Sequence, residues 1–128
     1  MEHLFVGTDL VEIDRLKQAL DEHGDRMARR LFTDGEWTYC QAQHRPEASL
    51  AARFAAKEAM RKIFGQWGYG DVVWRETEVS VGPAGAPSVS LHGVARDRAR
   101  DHEFALSLSH TERYAQAFCI AWHRGQNA

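Results

Sequence analysis

Between Pro46 and Phe64 the chain runs Pro-Glu-Ala-Ser-Leu-Ala-Ala-Arg-Phe-Ala-Ala-Lys-Glu-Ala-Met-Arg-Lys-Ile-Phe, which reads as one long helix opened at Pro46 or Glu47 and stopped by Gly65. Apolar residues cover most of its circumference, so the helix must be largely enclosed by the rest of the fold. At about 100° per residue, Arg53, Lys57 and Arg61 share one stripe, the expected solvated face. Glu58 and Lys62 fall elsewhere, flanked by Ala51, Phe54 and Ala55. A carboxylate and an ammonium on an apolar side are costly unless paired or bound to something. Two readings stay open. The residues form an ordinary i,i+4 pair, or the alanines leave room beside them for a ligand.

The segments that must enclose this helix follow from local pattern. Leu4 to Thr8 reads as a short buried strand, with Gly7 allowing close backbone approach. A helix is expected from about Leu10 to His23, with Leu10, Ile13, Leu16 and Leu20 on one face and Gly24 ending it. Asp25 to Phe32 reads as a shorter helix, basic on its exposed side. Thr33-Asp34-Gly35-Glu36 is a capping box that opens another helix through Gln43. After the long helix, Val72 to Val81 reads as a strand and Gly82 to Pro87 as a turn. Val89 and Leu91 alternate with serines in a second strand, and Val94 to Asp101 reads as a short polar helix. Phe104 to Ser109 alternates with period two, and Ala115 to Trp122 returns as the second strand of a hairpin. Helices first and antiparallel strands later predict an α+β fold with an antiparallel sheet packed around the long central helix.

Size and charge narrow the function. A length of 128 residues fits one compact domain, and one so small keeps much surface exposed, which favours an oligomer. The net charge of −2 argues against a nucleic-acid partner. Cys40 and Cys119 are far apart in sequence, so a reducing compartment is the expectation. The N-terminal run Met1 to Val6 lacks a basic signal-peptide region, and no stretch reaches membrane-spanning length. A cytoplasmic protein with no membrane partner is expected.

Two further residues interrupt their surroundings. Asp9 breaks an apolar strand exit, and Asp9-x-x-Glu12 fits a helix capping box. It also fits a hard-cation ligand, since Mg²⁺ takes one or two carboxylates and completes its shell with water and phosphate. His110 closes the strand ending Leu106-Ser107-Leu108-Ser109, either as an exposed turn residue or as a phosphate contact. The other histidines show no zinc-ligand spacing, and no Walker loop, dinucleotide fingerprint or nucleophile elbow is present.

Taken in order, these segments resemble the bacterial holo-[acyl-carrier-protein] synthase family, the short single-domain phosphopantetheinyl transferases. Gly7-Thr8-Asp9 through Arg15 resembles the N-terminal signature of that family. Arg53-Phe54-Ala55-Ala56-Lys57-Glu58-Ala59, followed by Lys62 and Phe64-Gly65, is similar to its central signature. Gly85-x-Pro87 and Ser107-Leu108-Ser109-His110-Thr111 with Tyr114-Ala115 are similar to the later blocks. Gln66 to Arg75, with Trp67 and Trp74, departs from the pattern.

The resemblance implies that Asp9 and Glu58 hold Mg²⁺ against the pyrophosphate of coenzyme A, and that Lys62 neutralises phosphate charge. It places Arg53, Gly65, His110 and Arg45 around the nucleotide and its phosphates, and Arg15 against an acidic helix of the acyl carrier protein. It implies transfer of phosphopantetheine to a carrier serine, releasing 3′,5′-ADP, and a homotrimer with active sites at subunit interfaces. Arg15, Lys17, Arg26, Arg29 and Arg30 concentrate positive charge on the first two helices, which suits an acidic partner. The same carboxylates would also serve a small Mg²⁺-dependent pyrophosphatase, or could be structural in a binding module.

Overall fold

A computed structural model describes residues 3–125; Met1, Glu2 and residues 126–128 lie outside the described residues, and with them the first two residues of the signal-peptide reading. The elements in order are β1 (Leu4–Glu12), α1 (Ile13–Leu31), α2 (Asp34–Gln41), α3 (Pro46–Gln66), β2 (Thr77–Val81), β3 (Pro87–Leu91), α4 (Gly93–Arg98), β4 (His102–His110) and β5 (Tyr114–His123). Single 3₁₀ turns occupy Trp74–Glu76 and Pro83–Gly85. An antiparallel sheet of order β1-β5-β4 packs on α3, and β2 with β3 forms a separate antiparallel pair. This is the expected α+β arrangement. Among the described residues no helix is long and apolar enough to cross a membrane.

The sheet can lie against α3 because the facing residues are small. Ala115, Ala117, Cys119 and Ala121 of β5 are fully buried; the last three share a core cluster with Ala55, Ala56 and Ala59 of α3, and Ala115 one with Leu50, Ala51 and Ala52. Gly7 makes the closest approach: a Cβ there would overlap the backbone carbonyl of Ala59. Register puts Phe5, Gly7, Asp9 and Val11 of β1 beside these four β5 residues, with Phe104, Leu106, Leu108 and His110 of β4 on their other side. The same alternation turns Leu4, Val6, Leu10, Tyr114, Phe118 and Trp122 outward, where each is more than a third exposed.

Several boundaries differ from the sequence reading. β1 runs on to Glu12, because pairing with β5 continues to Tyr114 and holds the chain extended past the apparent capping box. Asp9 is therefore a strand residue. The first helix begins at Ile13, with no side-chain cap from Glu12, and the Ile13 N–H donates to the Arg113 carbonyl at 2.9 Å. Leu10, expected on the buried helical face, is 62% exposed in β1. Gly24 bends rather than ends α1, adopting φ 64° between two helical arms. The capping box at Thr33 and Glu36 forms in full, although α2 stops at Gln41. The strand expected from Val72 begins only at Thr77, since the Thr77 Oγ1 and Glu76 N–H close a 3₁₀ turn on the Trp74 and Val73 carbonyls. The helix expected over Val94 to Asp101 covers Gly93–Arg98.

The largest departure concerns the charged stripe of α3. Lys57 is completely buried and Arg53 only 9% exposed, so this side faces the interior. It is covered by α2 and the segment entering β2, where Lys57 Nζ meets Glu36 Oε1 at 2.8 Å. Lys62, placed on the apolar side by the sequence reading, is exposed.

Candidate active site

The C-terminal half of α3 docks on β1 through residues four apart. Glu58 and Asp9 line the same cavity of about 520 Å³. One turn on, Lys62 Nζ donates to the Thr8 carbonyl at 2.8 Å and pairs with Asp9 Oδ1 at 3.2 Å. A further turn on, Gln66 Nε2 donates to the Val6 carbonyl at 3.0 Å. The helical repeat thus sets a ladder of side chains along the strand. Lys62 bridges to the strand, where the isolated i,i+4 reading had paired it with Glu58.

Asp9, in the first strand, and Glu58, near the middle of the chain, line one wall. Burial pushes the Glu58 carboxyl above its ordinary range, and the nearby Asp9 carboxylate pushes it further; Arg61 and Lys62 partly oppose both. Like charges held this way are relieved by a cation. The donor set, two carboxylates with an open cavity in front, suits a hard divalent ion that keeps room for water and phosphate oxygens. Among the described residues no group of three or more His, Cys, Asp or Glu converges to form a closed protein cage. Asp9 and Glu58 would be the residues to hold such an ion. Arg15, at the start of α1, lines the same cavity, together with Leu16, Met27 and Phe54.

Three other expected residues come together in a second cavity, of about 270 Å³: Arg45, Arg53 and His110. Arg53 is held by Ser49 Oγ, 3.1 Å from Nη1, and lies over the Tyr39 ring with its guanidinium carbon 4.8 Å from the centroid. Arg45 is fixed to the turn after β4, donating from Nη2 to the Glu112 carbonyl at 2.8 Å. His110 ends β4 beside Ala115. This basic recess suits phosphate, but it shares no lining residue with the cavity of Asp9 and Glu58. Gly65 lines neither; it sits in the last turn of α3 with open space where a Cβ would be.

Sequence reasoning passed over the residues that hold these groups in place. Tyr39 and Ser49 steady Arg53, and Phe54 and Met27 wall the carboxylate cavity. Trp74 stacks on Phe54 with ring centroids 5.4 Å apart. The spacing of Phe54 beside Glu58 was the available signal for the wall; nothing local marked Trp74.

Comparison with known proteins identifies the family. The chain is 45% identical over 120 residues to a holo-[acyl-carrier-protein] synthase of Moorella thermoacetica, spanning 91% of this chain and 92% of that one. It is 41% identical over 116 residues to the synthase of Chlamydia muridarum, with 91% and 92% covered. Among solved structures, the coenzyme A complex of the Chronobacterium ammoniagenes enzyme superposes with a TM-score of 0.82 at 30% identity, covering 95% of this chain and 98% of that one. The Helicobacter pylori synthase with coenzyme A gives 0.80 at 25% identity, covering 91% and 99%. Residues 5–119 match the family model of the 4′-phosphopantetheinyl transferases, and the chain belongs to that superfamily.

Proposed function

We propose that this chain is a holo-[acyl-carrier-protein] synthase that moves phosphopantetheine from coenzyme A to a serine of apo acyl carrier protein, with Asp9 and Glu58 holding Mg²⁺. The observation that carries the reading is the convergence of Asp9 and Glu58 on one cavity, with Lys62 anchored at its edge. Bound there, Mg²⁺ would neutralise charge on the pyrophosphate.

The chain's own residues supply the rest. The carrier serine oxygen bonds to the β-phosphorus of coenzyme A as the bond to the bridging oxygen breaks, and 3′,5′-ADP departs with that electron pair. Glu58, at the cavity wall with Asp9, is placed to accept the serine proton. Lys62 places a positive charge at the same wall, where charge develops in phosphoryl transfer. Arg53, Arg45 and His110 would receive the nucleotide phosphates.

Because those three lie in a separate cavity, a site completed across a subunit boundary is the natural arrangement. The outward apolar face of the β1-β5-β4 sheet supplies a surface for a homotrimer. Arg15, exposed at the carboxylate cavity, would meet an acidic helix of the carrier. A cytoplasmic location fits such a partner.

The test is the intact mass of apo acyl carrier protein after incubation with this protein, coenzyme A and Mg²⁺. A gain of one phosphopantetheine, absent with EDTA and with Glu58→Gln, is the expected result. Release of 3′,5′-ADP without a change in carrier mass would identify a pyrophosphatase instead.

A further inference from the structure

Lys57 takes no part in the chemistry above, yet it has the most completely specified surroundings in α3. Its ammonium has three N–H groups and three acceptors: Glu36 Oε1 at 2.8 Å, the Trp74 carbonyl at 2.8 Å and the Thr77 carbonyl at 2.9 Å. Glu36 is equally satisfied. Its Oε1 also accepts from the Thr33 N–H at 2.9 Å, and its Oε2 from the Val79 N–H at 2.7 Å. Both side chains are fully enclosed.

Such a pair is a poor source of stability, because well-packed apolar residues of similar volume often do as well or better. Its particular capacity is direction. The sheet side of α3 meets β5 through Ala55, Ala56 and Ala59 against Ala117, Cys119 and Ala121, with Met60 and Ile63 as the larger side chains of the same cluster, and apolar packing of this kind sets no direction. Hydrogen bonds from Lys57 to three separate groups admit one rotation. Glu58 is the next residue, about 100° further round the helix, so that rotation sets where its carboxylate points. Lys57 also holds the Trp74 carbonyl, and the Trp74 ring backs Phe54, which walls the cavity of Asp9 and Glu58.

We propose that the buried Lys57–Glu36 pair is a positioning device for the transfer reaction: it indexes α3 so that Glu58 meets Asp9 and Phe54 closes the wall beside them. The proposal rests on the reading of Asp9 and Glu58 as the reacting centre. The test is the double variant Lys57→Met/Glu36→Leu, which removes both charges together, compared with the wild type and with Glu58→Gln. Transfer kinetics are measured per folded molecule, beside chemical unfolding.

The double variant takes a side-chain partner from the Trp74 and Thr77 carbonyls and from the Thr33 and Val79 N–H groups, so it should unfold at a lower midpoint than the wild type. Per folded molecule, kcat should fall on the order of a hundredfold, the effect of small misplacement at a reacting centre. The Michaelis constant for the carrier should hold within about twofold, because Arg15 and its neighbours on α1 are untouched. Wild-type kcat in a folded double variant would overturn the proposal and leave the pair purely structural. If the double variant does not fold, Glu36→Gln decides: it keeps an acceptor for Lys57 but cannot accept at both positions, so kcat should fall, and an unchanged kcat overturns the proposal. Loss of the site reading itself is a separate result, seen as no transfer by the wild type or full activity in Glu58→Gln.

Discussion

Lys62 and Asp9, from the centre of the chain and its first strand, meet with Nζ 3.2 Å from Oδ1, and the same ammonium bonds the Thr8 carbonyl one residue earlier. The lysine is 53% exposed, so its pairing contributes little to folding. Lys62→Ala should therefore leave stability within about 0.5 kcal/mol and lower the rate of transfer on the order of a hundredfold. Thermal melts beside the carrier mass assay separate the two effects. A large fall in melting temperature with transfer per folded molecule intact would make Lys62 a structural strut.

The pH dependence of transfer should carry the signature of Glu58. Burial and Asp9 hold its carboxyl above the ordinary value of 4.5. The ionised form is the one that binds a cation or accepts a proton. Activity should thus rise with pH along a limb that lies above the usual glutamate range. Because Mg²⁺ binds the deprotonated site, higher Mg²⁺ should move that limb to lower pH. A limb that ignores Mg²⁺ concentration would detach Glu58 from the metal.

A second titration bears on stability. His102 packs on the Trp67 ring, centroids 4.2 Å apart, and its buried Nδ1 has no hydrogen-bond partner among the described residues. Burial lowers its pKa below the ordinary 6.5, and repulsion from His123 lowers it further, with Arg124 and His3 adding to this and Asp101 opposing. The unfolded chain then binds a proton that the folded chain resists. Stability should fall as pH drops below about 6.5, the unfolded value, until the lower folded value is passed. Denaturant midpoints from pH 7.5 to 5 should drop less in His102→Phe than in the wild type; equal drops would place the acid sensitivity elsewhere.

The outward sheet face makes a prediction about assembly. Phe118 and Trp122 stand on β5 with 44% and 37% of their surface exposed, beside Leu4, Val6 and Leu10 of β1. For the proposed trimer, Phe118→Glu should lower the mass in solution toward that of a monomer, read by light scattering. An unchanged mass would remove this face from the interface.

The order of elements and the enclosure of α3 were legible because they rest on local periodicity and on caps such as Thr33 with Glu36. The orientation of α3 was not. Spacing tells that Arg53, Lys57 and Arg61 share a stripe, but in a helix covered on nearly all sides it cannot tell which stripe meets water. That depends on Glu36 and the Trp74 and Thr77 carbonyls, remote in sequence from Lys57. Asp9 was misplaced for a similar reason: its capping pattern is locally valid, but nine paired positions on β5 outweigh it. The site residues themselves are nameable as candidates from sequence, whereas their division between two cavities arises only in the folded chain.

The contact of Gly7 with the Ala59 carbonyl also governs how this chain can diverge. Every other amino acid brings a Cβ, so no single replacement at that position leaves α3 where it is. Gly65 and Gly70 are the reverse case, with open space around a built Cβ and ordinary backbone angles. A side chain at either position meets no steric bar. At Gly7 it meets a wall, and any lineage that crossed it would have to carry a compensating shift of the helix that bears Glu58.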